Sequence, residues 1–138
     1  MPATDKFHDA VRTALQQDGW LITHDPLFLQ VGGANMFVDL GAEKLIAAQK
    51  DDRKIAVEVK SFLGQSQISE FHTALGQALS YRKALQLAEP DRFLYLAIPV
   101  DVYETFFRLE FTQEMIHEYQ LKLLVYEAEK EEIVQWSE

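Results

Sequence analysis

Cysteine is absent from the 138-residue sequence. Thiol catalysis, thiolate zinc sites and disulfide frameworks are therefore excluded, and a reducing compartment suits the chain better than a secreted one. Long hydrophobic runs are also missing. The longest uncharged apolar stretch, Phe93 to Val100, has eight residues, against the 18 or so that a membrane-spanning helix needs. The opening Met-Pro-Ala-Thr-Asp-Lys has neither the basic nor the apolar block of a signal peptide. The expectation is a cytoplasmic protein with no membrane partner. Proline and glycine are sparse, four and six residues, and fall where turns are expected rather than in linkers. No repeat or low-complexity tract interrupts the chain, so residues 1–138 read as one domain, long enough to bury its own core.

Basic residues are outnumbered, 13 Lys and Arg against 22 Asp and Glu, for a net charge of −9. Binding nucleic acid without sequence preference depends on neutralising phosphates with Lys and Arg, which this balance disfavours for the chain as a whole. The imbalance is uneven. Residues 1–88 carry nine basic and ten acidic residues, whereas residues 89–138 carry four and twelve.

Apolar residues at helical spacing from Phe7 to Leu15, capped by Thr4 and ended by Gly19, predict an opening helix. Strands follow at Trp20–Thr23 and Leu27–Val31 around a His24-Asp25-Pro26 turn, with Gly32-Gly33-Ala34-Asn35 as a loop. Met36–Gln49 and Lys54–Phe62 read as a hairpin turning at Lys50-Asp51-Asp52-Arg53. Ser66 can cap a long helix with an apolar face at Ile68, Phe71, Leu75, Ala78, Leu79 and Leu85. Phe93–Ile98 is apolar enough for a strand buried on both faces, which makes a parallel crossover the natural connection. Short helices at Asp101–Leu109 and Thr112–Tyr119 and strands at Leu121–Tyr126 and Glu132–Trp136 complete an α/β domain with a mixed sheet.

The chemistry-bearing pattern lies in Ile55-Ala56-Val57-Glu58-Val59-Lys60-Ser61. Glu58 and Lys60 are two apart and share one strand face, opposite Val57 and Val59. Alone, Glu-x-Lys reads as an ordinary exposed ion pair. Asp39 on the neighbouring strand adds a second carboxylate, and two carboxylates can hold Mg²⁺ or Mn²⁺ with water completing the shell. A lysine beside them can orient an attacking water and offset charge developing on a phosphate. Gln77 and Tyr81, at i and i+4 on the long helix, project from one stripe at the edge of its core face, and their polar tips can reach the same cleft if that helix packs on the face bearing Glu58 and Lys60.

Asp39, Glu58-Val59-Lys60 and Gln77-Ala78-Leu79-Ser80-Tyr81 resemble the PD-(D/E)XK nuclease superfamily, in particular its RecB-like members with a Gln-xxx-Tyr helix motif. Phe37 to Glu43, Ile55 to Phe62, Ala74 to Gln77 and Leu94 to Pro99 are more closely similar to the cyanobacterial XisH family, the fdxN element excision controlling factors, over nearly the whole chain. The resemblance implies a restriction-endonuclease-like mixed β-sheet flanked by helices, a role in programmed excision of a DNA element, and a XisI-type protein partner. It implies Asp39 and Glu58 as metal ligands, Lys60 as the water-orienting or charge-stabilising group, and Gln77 and Tyr81 as supports. A small nuclease of this type that cuts both strands would work as a homodimer. Catalytic activity does not follow from fold, so a nuclease-fold regulatory module acting through the partner is the alternative, as is a purely structural ion-pair network.

Register is the difficulty. With Asp51-Asp52 at the turn, Glu43 faces Lys60, Leu45 faces Glu58, and Asp39 lies about 20 Å along the strand from Glu58. A bend at Gly41 is the preferred resolution; Glu43 as the metal ligand and a longer or shifted hairpin loop are the others. Remaining polar residues fit simpler roles. His8 and Asp9 read as solvated helix face, His72 and His117 as surface, and Tyr95, Tyr103, Phe106 and Phe107 as core or interface rather than a base-stacking platform, which normally has basic residues interleaved.

Overall fold

Val11 and Leu15, with Ala10 and Ala14, form the buried stripe of α1 (Asp5–Gln17). The architecture around it comes from a computed structural model, which describes residues 5–46 and 51–137. The expected cap at Thr4 lies outside the described residues. After Gly19, at φ 92°, come β1 (Leu21–His24), β2 (Leu27–Val31), β3 (Ala34–Val38), β4 (Leu40–Ile46) and β5 (Asp51–Val59). The crossover helix α2 (Gln67–Ala88) leads to β6 (Arg92–Pro99), α3 (Val100–Tyr103), a 3-10 turn at Phe106–Arg108, α4 (Glu110–Tyr119), β7 (Leu123–Glu127) and β8 (Glu132–Ser137).

Six strands form one mixed sheet in the order β1-β4-β5-β6-β7-β8, and β2 pairs with β3 in a separate two-stranded sheet. β5, β6 and β7 run parallel, while β1–β4, β4–β5 and β7–β8 are antiparallel. The sheet is flanked by helices and agrees with the α/β fold expected. No helix among the described residues is long and apolar enough to cross a membrane.

Alternation along the strands divides the core in two. Leu40, Ala42, Ile55, Val57, Tyr95 and Ala97 pack under α1. Ala56, Leu94, Leu96 and Ile98 pack on the opposite side against α2, the 3-10 turn and the β2–β3 hairpin. Phe71, Ala74, Ala78 and Leu85 make the buried stripe of α2, and Ser66 caps it by accepting from the Ser69 N–H. Small alanines let the helix lie close to the sheet. Ile68, expected on that stripe, is instead exposed. β6 is buried except at Phe93, which the sequence placed inside but which is exposed near the strand's start, and its apolar run from Leu94 is flanked by parallel β5 and β7.

The differences from the sequence-based expectation concentrate between residues 32 and 59. Only Gly32 and Gly33, both at positive φ, form the turn between β2 and β3. Ala34 and Asn35 are already strand, because the two glycines suffice to reverse the chain. The expected single strand from Met36 breaks at Asp39, between β3 and β4. Asp51 and Asp52 belong to β5 and pair with Ile46 and Leu45. Strand pairing reaches that far, so the connection falls within residues 47–50, which lie outside the described residues.

Candidate active site

The observed register brings the carboxylates together. Glu43 pairs with Lys54 rather than Lys60, and Leu40 pairs with Val57, a shift of six residues from the expected pairing. A six-residue shift is even, so it moves pairs along the strand without exchanging its faces. Glu58 and Lys60 therefore keep their predicted side, and Asp39, one residue before Leu40, arrives beside Glu58. The expected bend at Gly41 is not there. Gly41 is a regular member of β4 opposite Ala56, and the break is at Asp39 itself.

Asp39 and Glu58 are joined through the backbone. The Asp39 N–H donates to Glu58 Oε1 at 3.2 Å, and the Val59 N–H donates to Asp39 Oδ2 at 2.8 Å. These crossed bonds replace the ladder pairing that the break interrupts and fix both carboxylates in place. Lys60 Nζ lies 3.4 Å from Glu58 Oε2 and donates to Gln77 Oε1 on α2. The strand is anchored just there, because the Lys60 N–H donates to the Ala97 carbonyl at 2.9 Å and the Tyr126 hydroxyl donates to the Lys60 carbonyl at 3.0 Å. Tyr126 has no motif to announce it; a tyrosine ending an apolar strand looks like core, and only the sheet order places it beside Lys60.

Electrostatics follow from this crowding. Burial pushes the Glu58 carboxyl up from 4.5 to about 7, with the Asp39 charge adding to the rise and Lys60 and the Asp39 N–H opposing it. The Tyr81 hydroxyl is also raised, first by burial and then by Glu58 and Asp39, so Tyr81 faces the same negative site. Asp39, Glu58, Lys60, Gln77 and Tyr81 thus surround one location. Glu43 does not join them: its carboxylate lies 3.5 Å from Arg92 Nη2, because the shifted register carries it away. Among the described residues, no group of three or more His, Cys, Asp or Glu side chains could hold a metal.

A divalent cation still suits the donors present. A carboxylate raised by burial and by a second carboxylate beside it is an arrangement that bound positive charge relieves, and Mg²⁺ commonly takes only one or two carboxylates and keeps several waters.

His8 and Arg12 of α1 both bind Asp25, His8 Nε2 at 2.8 Å from Asp25 Oδ1, so His8 belongs to an ion-pair cluster rather than a purely solvated face. Asp9, His72 and His117 are exposed, as expected, and Tyr95, Phe106 and Phe107 are core.

Comparison with known proteins agrees with the motifs. The family profile described as XisH protein matches residues 1–134. The crystal structure of an XisH family protein from Nostoc punctiforme is similar with a TM-score of 0.90 and 52% identity, covering 97% of this chain and 100% of that one. A structure titled as an fdxN element excision controlling factor protein from Anabaena variabilis has a TM-score of 0.87 and 57% identity, covering 96% and 98%. No curated protein matches the chain significantly. With the profile spanning nearly all residues and both structures matching end to end, the chain belongs to the XisH family.

Proposed function

We propose that this protein is a metal-dependent phosphodiesterase of PD-(D/E)XK type, acting on DNA in the control of excision of a DNA element. The observation that carries the reading is the convergence of Asp39, at the break between β3 and β4, with Glu58 and Lys60, at the end of β5, and Gln77 from α2 at one partly buried position. An ion-pair network serving stability alone would not need a second carboxylate, Asp39, bound to the backbone beside the buried Glu58. The role in excision is taken from the description of the Anabaena variabilis relative.

In this reading Asp39 and Glu58 hold Mg²⁺ or Mn²⁺, which supplies Lewis-acid polarisation of the phosphate and a more acidic bound water. Asp39 is oriented by the Val59 N–H, and Glu58 by the Asp39 N–H. Gln77 accepts a hydrogen bond from Lys60 and thereby holds the ammonium between Glu58 and α2. There Lys60 orients the attacking water and offsets charge that develops on the phosphate oxygens. Tyr81 closes the α2 side of the cleft.

The test is incubation with single-stranded, double-stranded and branched DNA in Mn²⁺ or Mg²⁺. Cleavage is expected for the native protein, with a loss of about 10²-fold or more in Lys60→Ala; in EDTA no cleavage is expected. Equal cleavage by native protein and Lys60→Ala would reject the assignment. Divalent cation should also raise the melting temperature of the native protein but not of Asp39→Ala.

A second reading has its own support in the acidity of residues 89–138, where Glu104, Glu110, Glu114, Glu118, Glu129 and Glu132 lie on the surface. A predominantly acidic surface favours a protein partner of opposite charge, and the family resemblance points to a XisI-type protein. Co-expression should yield a complex; failure to copurify would count against the regulatory role.

A further inference from the structure

The β2–β3 hairpin leads directly into Asp39, and its two faces differ. Leu27, Leu29 and Val38 turn inward and are buried in one cluster with Phe71, Ala74 and Ala78 of α2. Alternation sends Phe28, Gln30, Asn35 and Phe37 outward, where all four are exposed. Phe28 and Phe37 are paired directly across the hairpin, with ring centroids 5.0 Å apart and ring planes inclined at 41°. They are 47% and 57% exposed. Residues 26–38 contain no charged side chain.

The pair stands next to the candidate site, on its open side. Exposure alternates through the break after β3: Phe37 is exposed, Val38 buried, Asp39 partly exposed and Leu40 buried. Phe37 and Asp39 therefore share one side of the chain, at most about 7 Å apart along it, the length of two stacked nucleotides at about 3.4 Å each. Area weighs against a protein as the occupant. Five residues on each of two strands give a footprint of roughly 160 Å², well short of the about 800 Å² that each partner of a stable protein complex buries. The chemistry suits bases instead, because the rings offer stacking faces and the Gln30 and Asn35 amides offer both donors and acceptors. With no Lys or Arg on the hairpin, contact with phosphate falls to Lys60 and the bound cation.

We infer, on the DNA-cleaving reading of the site, that Phe28 and Phe37 stack an unpaired base of the strand held at Asp39 and Glu58, which makes the substrate single-stranded or branched DNA. Bases within an intact duplex are already stacked and must be unstacked at a cost before an aromatic face can take them.

The experiment is fluorescence anisotropy in Ca²⁺ with a labelled dT oligonucleotide and an abasic oligonucleotide of equal length and charge. The dT strand is expected to bind at least about tenfold tighter than the abasic strand. Phe28→Ala and Phe37→Ala should each weaken dT binding about fivefold or more and erase the preference over abasic DNA, and Phe37→Trp should restore it. In Mn²⁺, single-stranded DNA should be cut at least about tenfold faster than duplex. Equal affinity for the dT and abasic strands would overturn the inference, as would a changed oligomeric state in Phe37→Ala with DNA binding unchanged, which marks a protein interface. Cleavage that depends on Lys60 but on neither phenylalanine overturns the stacking role and leaves the proposed function standing. Base-dependent binding that is lost in Phe37→Ala, in a protein that cuts no DNA, supports the stacking role and overturns the proposed function.

Discussion

Glu58 is where sequence, structure and chemistry meet most closely. Its carboxyl titrates near 7 in the folded chain, against an ordinary value of 4.5, because it is buried beside Asp39. A carboxyl raised by folding binds more protons in the native than in the unfolded state between those values, so stability falls as pH rises through this window. Between pH 5 and 8 the loss attributable to Glu58 is roughly 2–3 kcal/mol. Urea denaturation across that range should show the decline in native protein and a flatter profile in Glu58→Gln; identical profiles would refute the assignment. Added Mg²⁺ should stabilise the native protein more at pH 8 than at pH 5.5, because protons and cation compete for the same carboxylates. The residue types of this site were legible from the sequence, since Glu-x-Lys alternation and i, i+4 spacing follow from strand and helix periodicity. Tyr126 and the crossed backbone bonds between Asp39 and Glu58 were not, because residues distant in sequence meet there only through strand order.

At the scale of elements, one hairpin decided whether the site exists. Composition marks Asp51-Asp52 as a turn, yet both are paired in β5. Local turn propensity yields when strand pairing favours a longer strand. The same hairpin shows what glycine does at position 41. A Cβ there would lie 3.0 Å from His24 Nδ1, 3.1 Å from His24 Cβ and 3.3 Å from Arg92 Nη1. Close approach of β1 and Arg92, rather than a bend, is the reason for glycine. Gly41→Ala should therefore destabilise by about 1–3 kcal/mol through overpacking. Gly76, in α2, has open space where an alanine methyl would sit, with nothing within 4 Å, so Gly76→Ala should stabilise by about 0.5–1 kcal/mol through helix propensity. Thermal melts of the two variants should move in opposite directions; a stabilised Gly41→Ala would contradict the packing described. Arg92 explains the sensitivity: nearly fully buried, it donates to the Ile55 carbonyl at 2.9 Å and binds Glu43 and Glu89, linking three strands at the end of the sheet away from Lys60.

For the whole molecule, charge sets the limits. Residues 1–88, which hold the candidate site, are nearly balanced, and the excess of acid lies in residues 89–138. DNA affinity of the isolated protein at physiological salt should then be weaker than about 10⁻⁶ M, with binding falling further as salt rises. Fluorescence anisotropy with a labelled duplex checks this, and a XisI-type partner should tighten it. Low-nanomolar binding by the protein alone would show that the acidic surface does not govern recognition. By itself, the sequence determined the alternation that put Glu58 and Lys60 on one face, the apolar β6 that had to be interior, and the motif residues on α2, since these rest on local periodicity and composition. Tertiary structure decided the register that brought Asp39 to Glu58 and the removal of Glu43 to Arg92, because strand pairing and the burial of charge depend on partners tens of residues away.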